Sequence, residues 1–363
     1  MRMRADVRRY LFESKLNWLL VFIPVSLAFS RMSIDKVWLF ITSALAIIPL
    51  AGLVSSATEQ LSRRAGPGTS GLINASFGNI PELIIGLFAL KAGLIGVVKA
   101  SISGSVLSNL LFALGASMFL GGINRDKQTF MRSTSGQGAA LLFLAVIALI
   151  MPAVFDLSVF GTFRGGIEVE DLSVIVAGVL LAIYVANLIF ALTKGYSPTC
   201  ANIESDQPEI SIVSTLIILG AVTVLAAFES GLMVNSISAA TKALGMTEFF
   251  VGIIIVPIVG NAAEQFTAIS MAMKNRMDLA VSIAIGGSIQ VALLLVPILV
   301  FASIFLGHPL SLVFNPFEIA GLALSIIIVS IVSLDGESNW LEGLELIAVY
   351  AVLGIVFFFV PAK

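Results

Sequence analysis

An all-α polytopic membrane protein with about eleven transmembrane helices is the fold class this sequence predicts. Three observations carry that reading. Of 363 residues, 58% are hydrophobic and 12% charged, where a soluble domain carries roughly 25% charged residues. The apolar residues gather into runs of about 17 to 25, long enough to cross a hydrocarbon layer of ~30 Å. The runs are also continuous, without the strict alternation of an outer-membrane barrel strand. A net charge of −2 with no basic block gives no sign of a nucleic-acid partner. The one cysteine, Cys200, excludes an intrachain disulfide. The one histidine, His308, excludes zinc sites built from several His or Cys.

The spans follow in chain order. Span 1 (16–30) comes after Arg2, Arg4, Arg8 and Arg9. It resembles a signal peptide but reads as a retained helix, its basic lead-in lying on the cytoplasmic lipid surface. Span 2 (34–58) leads into ATEQL (57–61), and span 3 (70–90) holds the stretch SFGNIPELIIG (76–86). Span 4 (97–121) contains GSVLSNLL (104–111), with Ser101, Ser105 and Ser108 on one helical face. Span 5 (136–152) is short and precedes a polar loop, 153–172, with Asp156, Glu168, Glu170 and Asp171. Span 6 (173–192) ends at the polar break KGYSPTCANIESDQPE (194–209). Span 7 (210–232), extended, reaches ATKAL (240–244), and span 8 (247–273) holds IVGNAAEQFTA (258–268). Span 9 (278–302) contains GSIQVALL (287–294), and spans 10 (310–334) and 11 (340–360) complete the chain. Glu229, Glu248, Asp278 and Glu318 fall near span ends, where a solvated or interfacial place is expected.

Cytoplasmic loops carry the excess of Lys and Arg. With the N-terminus in the cytoplasm, thirteen of the 20 lie inside and seven outside.

Three pairs of matches in one order, at offsets of 182 or 183 residues, define an internal repeat: ATEQL with ATKAL, GNIPE with GNAAE, and GSVLSNLL with GSIQVALL. The expected organisation is therefore a basic N-terminus and first helix (1–31), a first repeat (32–193, helices 2–6), a cytoplasmic linker (194–209) and a second repeat (210–363, helices 7–11). Five spans per unit make the second repeat enter the membrane from the opposite side. Such inverted repeats build secondary transporters, whose ion sites lie near the midplane between the repeats.

Residues three apart share a helical face, so Asn79 points with Glu82 and Asn261 with Glu264. Gly78 and Gly260 permit close approach. Pro81 and Pro257 each remove a helix donor, which is expected to break the helix and bare carbonyl oxygens. Two carboxylates, two amides and those carbonyls form an all-oxygen donor set, suited to a hard divalent cation such as Ca²⁺. Glu82 and Glu264 neutralise one divalent cation or bind two protons, so they are the expected metal and proton sites, with Asn79, Asn261, Gly78 and Gly260 as further metal-site residues. Ser105, Ser288, Gln290 and Asn109 are expected as a second site or gate, Gln290 either reaching the ion or bonding Glu82. Glu229 or Glu248 could add a third proton. A hydrolase is excluded: there is no HExxH or GxGD, and GTSG (68–71) has no second-half histidine to activate it. The alternatives left open are Mn²⁺ or another divalent cation, another coupling ion, and a passive channel.

These segments carry a resemblance: LINASFGNIPELIIGLFALKAG (72–93), GSVLSNLLFALG (104–115), VPIVGNAAEQ (256–265) and GSIQVALLLVP (287–297). They are similar to the calcium/cation antiporter superfamily, and more closely to its calcium/proton exchanger branch. The resemblance implies a regulatory first helix, ten core helices, and Ca²⁺ export from the cytosol driven by inward proton movement. It also implies Glu82 and Glu264 as shared ion sites, Ca²⁺ as substrate with no cofactor, and homo-oligomers, trimers in some members. Many relatives have His after the second motif glutamate, where this chain has Gln265. Eukaryotic relatives often carry an acid-rich central segment, reduced here to Glu204, Asp206 and Glu209. With the short N-terminus, this points to a prokaryotic cell membrane rather than a vacuole.

Overall fold

Long apolar segments in lipid must satisfy their backbone internally, and this chain does so almost wholly as helix. In the computed structural model the described residues are 15–32, 34–62, 64, 73, 77–161, 163, 166–194 and 211–361. They form eleven helices: α1 (Leu16–Arg31), α2 (Lys36–Ser62), α3 (Ile80–Lys91), α4 (Ile95–Gly122), α5 (Arg132–Phe160), α6 (Ile167–Lys194), α7 (Ile212–Leu244), α8 (Glu248–Met273), α9 (Met277–Phe305), α10 (Pro316–Val332) and α11 (Trp340–Phe359). Eight of them are long and apolar enough to cross a membrane, while α1 and α10 are shorter apolar helices.

The packing repeats itself with α2–α6 exchanged for α7–α11. The long pair α2 and α7 lie side by side, α8 rests on α2, and α3 rests on α7. The second half of α4 packs on α11, and the second half of α9 packs on α6. The first half of α4 meets α10, and the first half of α9 meets α5. Each contact has its counterpart in the other half, as two units of one fold require. Helices α4 and α9 run through the middle, so their Ala, Val, Ile and Leu side chains are buried on most sides. Helix α1 stands outside this exchange, against α2 and α7. Beyond α4, a two-residue strand β1 (Gln128–Thr129) pairs antiparallel with β2 (Glu337–Ser338), in register Gln128 to Ser338. An exposed Lys127–Glu337 ion pair of 2.8 Å flanks the ribbon.

Several boundaries differ from the sequence reading. Helix α5 runs on to Phe160 and α6 starts at Ile167, so most of the expected 153–172 loop is helical. Its acids had lowered the apparent hydropathy, yet Asp156 is 1% exposed within α5. Helix α7 continues to Leu244, well past the expected end at 232. Helix α10 begins only at Pro316, where Asn315 and Glu318 close a capping box, and α11 begins with the same device from Asn339 and Glu342. Residues 1–14 and most of the 194–209 linker lie outside the described residues.

The two motif prolines do not break helices. Pro81 sits in the first turn of α3, where a missing donor costs nothing. Pro257 lies inside the continuous α8, two residues after a π-helical turn, Val251–Ile255, that absorbs the lost bond. The Ile253 carbonyl, four residues before Pro257, points at Gly104 of α4 rather than into a cavity: a Cβ built on Gly104 would lie 2.1 Å from that oxygen. Gly104 is therefore the residue that lets α4 and α8 touch backbone to backbone.

Candidate cation site

The turn Gly78–Asn79 feeds directly into α3, so Asn79 stands just before its first residue and Glu82 lies in its first turn. The helix N-terminus presents free N–H groups and a positive dipole end there, which favours negative charge. In the second repeat Asn261 and Glu264 lie within α8, one turn apart. The two motifs converge. A Cβ on Gly260 would meet Glu82 Cγ at 3.0 Å and its Cδ at 3.4 Å. Gly260 and Glu264 share one face of α8, so the Glu82 carboxylate stands within about one helical turn of Glu264.

Each asparagine is anchored by the opposite repeat. Asn79 Nδ2 donates to Gln290 Oε1 on α9 at 2.7 Å, and Asn261 Nδ2 donates to Ser105 Oγ on α4 at 3.1 Å. With their nitrogens held, the two amide oxygens are left over. Asn79 Oδ1, Asn261 Oδ1 and Glu264 Oε2 are all buried and without a hydrogen-bond partner. Unsatisfied buried acceptors are costly, and three of them beside a second carboxylate form the donor set a hard cation takes. No three acids, histidines or cysteines come together among the described residues. The oxygens gathered here come from two carboxylates and two amides.

The other expected residues divide. Asn109, in a π-helical turn of α4 (Ser108–Ala113), brings Nδ2 within 3.0 Å of a Cβ built on Gly287, and Glu264 Oε2 comes within 2.9 Å of the same point. An unpartnered amide donor and an unpartnered carboxylate oxygen thus meet over Gly287. Gln290 binds Asn79 and not Glu82. Ser288 is fully buried and donates to Ala284 O of its own helix at 2.9 Å. Gly260 is buried inside α8, and Gly78 is half-buried at the turn before α3.

Sequence reasoning missed the polar contacts of four residues. Gln265 Nε2 donates to Ser108 Oγ at 3.2 Å, extending the site along α4. Glu318, expected at an interface, is 3% exposed: its Oε1 accepts from Ser103 Oγ at 2.6 Å and its Oε2 from Asn315 N at 2.9 Å. Nearby Lys99 Nζ donates to Ser311 Oγ at 2.9 Å and Val313 O at 3.2 Å. Glu229, also expected near a span end, is fully buried in mid-helix with its Oε1 2.7 Å from Ser26 Oγ of α1. The available signal was an ionisable residue inside an apolar span, which by default marks a paired or functional position.

The profile of the family described as "Sodium/calcium exchanger protein" matches residues 36–193 and 214–359, both halves of the chain. The chain belongs to that family. It is 44% identical over 360 residues to the "Ca(2+)/H(+) antiporter" of Aphanothece halophytica, covering 94% of this chain and 96% of the relative. It is 40% identical over 342 residues to the "Ca(2+)/H(+) antiporter ChaA" of Bacillus subtilis (strain 168), covering 93% and 96%. The solved structure of native YfkE superposes with a TM-score of 0.83 at 37% identity, over 95% of this chain and 100% of that one. The expected superfamily and the all-helical membrane architecture are borne out.

Proposed function

We propose that this protein exchanges cytosolic Ca²⁺ for protons across a membrane, alternating access around Glu82 and Glu264. The observation that carries the reading is the set of buried oxygens without partners, Asn79 Oδ1, Asn261 Oδ1 and Glu264 Oε2, beside the Glu82 side chain. Relatives named Ca²⁺/H⁺ antiporters at 40–44% identity over nearly the whole chain support the choice of ions.

The chemistry follows from charge. Two ionised carboxylates compensate one divalent cation, while empty and ionised they would leave charge buried and uncompensated. Protons remove that cost, so the site crosses loaded with Ca²⁺ or with protons. Asn79 and Asn261 supply neutral oxygens, and Gln290 and Ser105 hold their amide nitrogens turned away. The α2–α7 pair, which joins the two repeats side by side, is the element suited to slide as access alternates. The excess of thirteen Lys/Arg over seven supports an N-terminus in the cytoplasm.

The test is Ca²⁺ flux in proteoliposomes under an imposed pH gradient with the membrane potential clamped. Wild type should move Ca²⁺ uphill when protons run the other way, and Glu82→Gln or Glu264→Gln should abolish this. Flux that follows sodium or potassium and ignores pH would keep the oxygen site but replace the coupling ion. Uphill transport by both glutamine variants would refute the shared site.

A further inference from the structure

Glu229 occupies the middle of α7, one of the two long helices that flank the cation site, yet it faces away from that site. Gly231, two residues on and about 200° around the helix, faces Phe88 of α3, whose ring carbon lies 3.2 Å from a Cβ built there. Glu229 turns instead to α1, where Ser26 meets it. Both residues are fully buried.

Counting hydrogens decides what the carboxyl carries. Ser26 Oγ lies 2.7 Å from Glu229 Oε1 and 2.8 Å from the Ile23 carbonyl oxygen. A serine hydroxyl has one proton to donate, a carbonyl only accepts, and an ionised carboxylate only accepts. With Glu229 ionised, one of these two close contacts faces lone pair to lone pair. Glu229 Oε2 has no partner either, so a buried negative charge would rest on at most one hydrogen bond. Among the described residues no Lys, Arg or His forms an ion pair with this carboxyl, and Ser26 is its hydrogen-bond partner. The ionisable groups on the helices packed against it are Arg31 of α1, Lys36 and Glu59 of α2, Glu82 and Lys91 of α3, and Glu248 and Glu264 of α8.

A proton on Oε1 resolves each conflict. The carboxyl O–H donates to Ser26 Oγ, the Ser26 hydroxyl donates to Ile23 O, and Oε2 remains as the carbonyl oxygen of a neutral acid. We propose that Glu229 is a proton-binding site separate from the Glu82/Glu264 pair, and that its proton joins α1 to α7. The chain of two bonds, Glu229 to Ser26 to the α1 backbone, forms when the proton binds. It loses one link when the proton leaves, so α1 docks on the α2–α7 pair through a titratable contact.

Infrared difference spectra of the full chain in lipid bilayers test this without any reliance on transport. Using Glu82→Gln/Glu264→Gln as the background removes the motif carboxyls from the signal. Adding Glu229→Gln, which keeps the shape and can still donate to Ser26, should remove a carboxylic-acid C=O band at neutral pH. Adding Ser26→Ala instead should keep that band but shift it to higher frequency, because the acid has lost its acceptor. If Glu229→Gln removes a carboxylate band and no acid band, Glu229 is ionised and the proposal fails. An unshifted acid band in Ser26→Ala would overturn the relay to α1.

Discussion

Two substitutions of one chemical kind, Gly104→Ala and Gly260→Ala, should fail in opposite ways. At Gly104 the added Cβ would lie 2.1 Å from Ile253 O and 2.7 Å from both Ile253 C and Pro257 Cγ. Ordinary contact begins at 3.4 Å, so α4 and α8 must part by about 1.3 Å. Nothing in that contact is a flexible side chain, since the obstacles are backbone and a proline ring. Overpacking of this kind costs about 3 kcal/mol, the upper end of its usual range. The gain in helix propensity from Gly to Ala returns only about 1 kcal/mol. A net loss of about 2 kcal/mol follows, seen as a lowered thermal midpoint and poor yield in detergent.

At Gly260 the nearest atom is Glu82 Cγ at 3.0 Å, in a side chain that can move. A shift of about 0.4 Å restores ordinary contact, and the propensity gain offsets its cost. The fold should therefore keep its thermal midpoint. The carboxylate, however, moves by more than the ~0.2 Å tolerance of metal–oxygen distances. The Ca²⁺ concentration for half-maximal flux should rise about tenfold, the lower end for displaced supporting groups. Thermal unfolding followed by Trp fluorescence and radiolabelled Ca²⁺ uptake into vesicles read the two effects separately. A Gly104→Ala protein as stable as wild type, or Gly260→Ala uptake identical to wild type, would refute the packing argument.

Removing the anchor of Asn79 with Gln290→Leu leaves a buried amide N–H unpaired, which should cost about 1–3 kcal/mol in thermal unfolding and weaken Ca²⁺ uptake as the amide turns. If Glu82 and Glu264 are the shared site proposed above, lowering the pH on the Ca²⁺-binding side should raise the half-maximal Ca²⁺ concentration, because protons and Ca²⁺ would compete for them; a pH-independent value would count against shared occupancy. Glu318→Ala strips a counter-charge from Lys99 and an acceptor from Ser103, and should cost about 2 kcal/mol, below the ~3–5 for a fully buried pair because Lys99 is half-buried. The double variant Lys99→Met/Glu318→Leu should recover most of that loss, as chemical denaturation in detergent would register.

Much of the site was legible because the repeat told it twice. One buried glutamate in an apolar run admits a structural role, but Asn-x-x-Glu at two equivalent positions predicts convergence, and Gly260 against Glu82 realises it. The backbone around the site was less legible. A π-helical turn changes which carbonyl a donor reaches without demanding any one residue. Of the three such turns among the described residues, Val251–Ile255 and Val291–Leu295 do carry a signal, since each ends two residues before a proline, Pro257 or Pro297. The third, Ser108–Ala113, has none. Glu229 and Asp156 were misplaced for a different reason. Hydropathy averages a window, so a polar residue facing a neighbouring helix reads the same as one facing water. Only the partners, Ser26 for Glu229 and the Lys99 cluster near Asp156, distinguish the two.

The two halves share a backbone more faithfully than they share polar equipment. The π-helical turns of α4 and α9 begin at Ser108 and Val291, the same place in each repeat at an offset of 183. The amides around that start do not correspond. Gln290 stands where the first repeat has Leu107, and Asn109 stands where the second has Ala292. Gln290 holds Asn79, while Asn109 leans toward Glu264. On the first repeat the motif amide is thus fixed by an amide, and on the second by the Ser105 hydroxyl. On the proposed mechanism, identical repeats would exchange places between the inward- and outward-facing states and make the two equal in energy. In the proposed alternating-access cycle each exchange would trade an amide–amide bond for an amide–hydroxyl one, which would separate the two states in energy from within the site itself. The asymmetry needs no ligand and no regulatory segment: it is set by which side of one backbone irregularity each repeat places its amide.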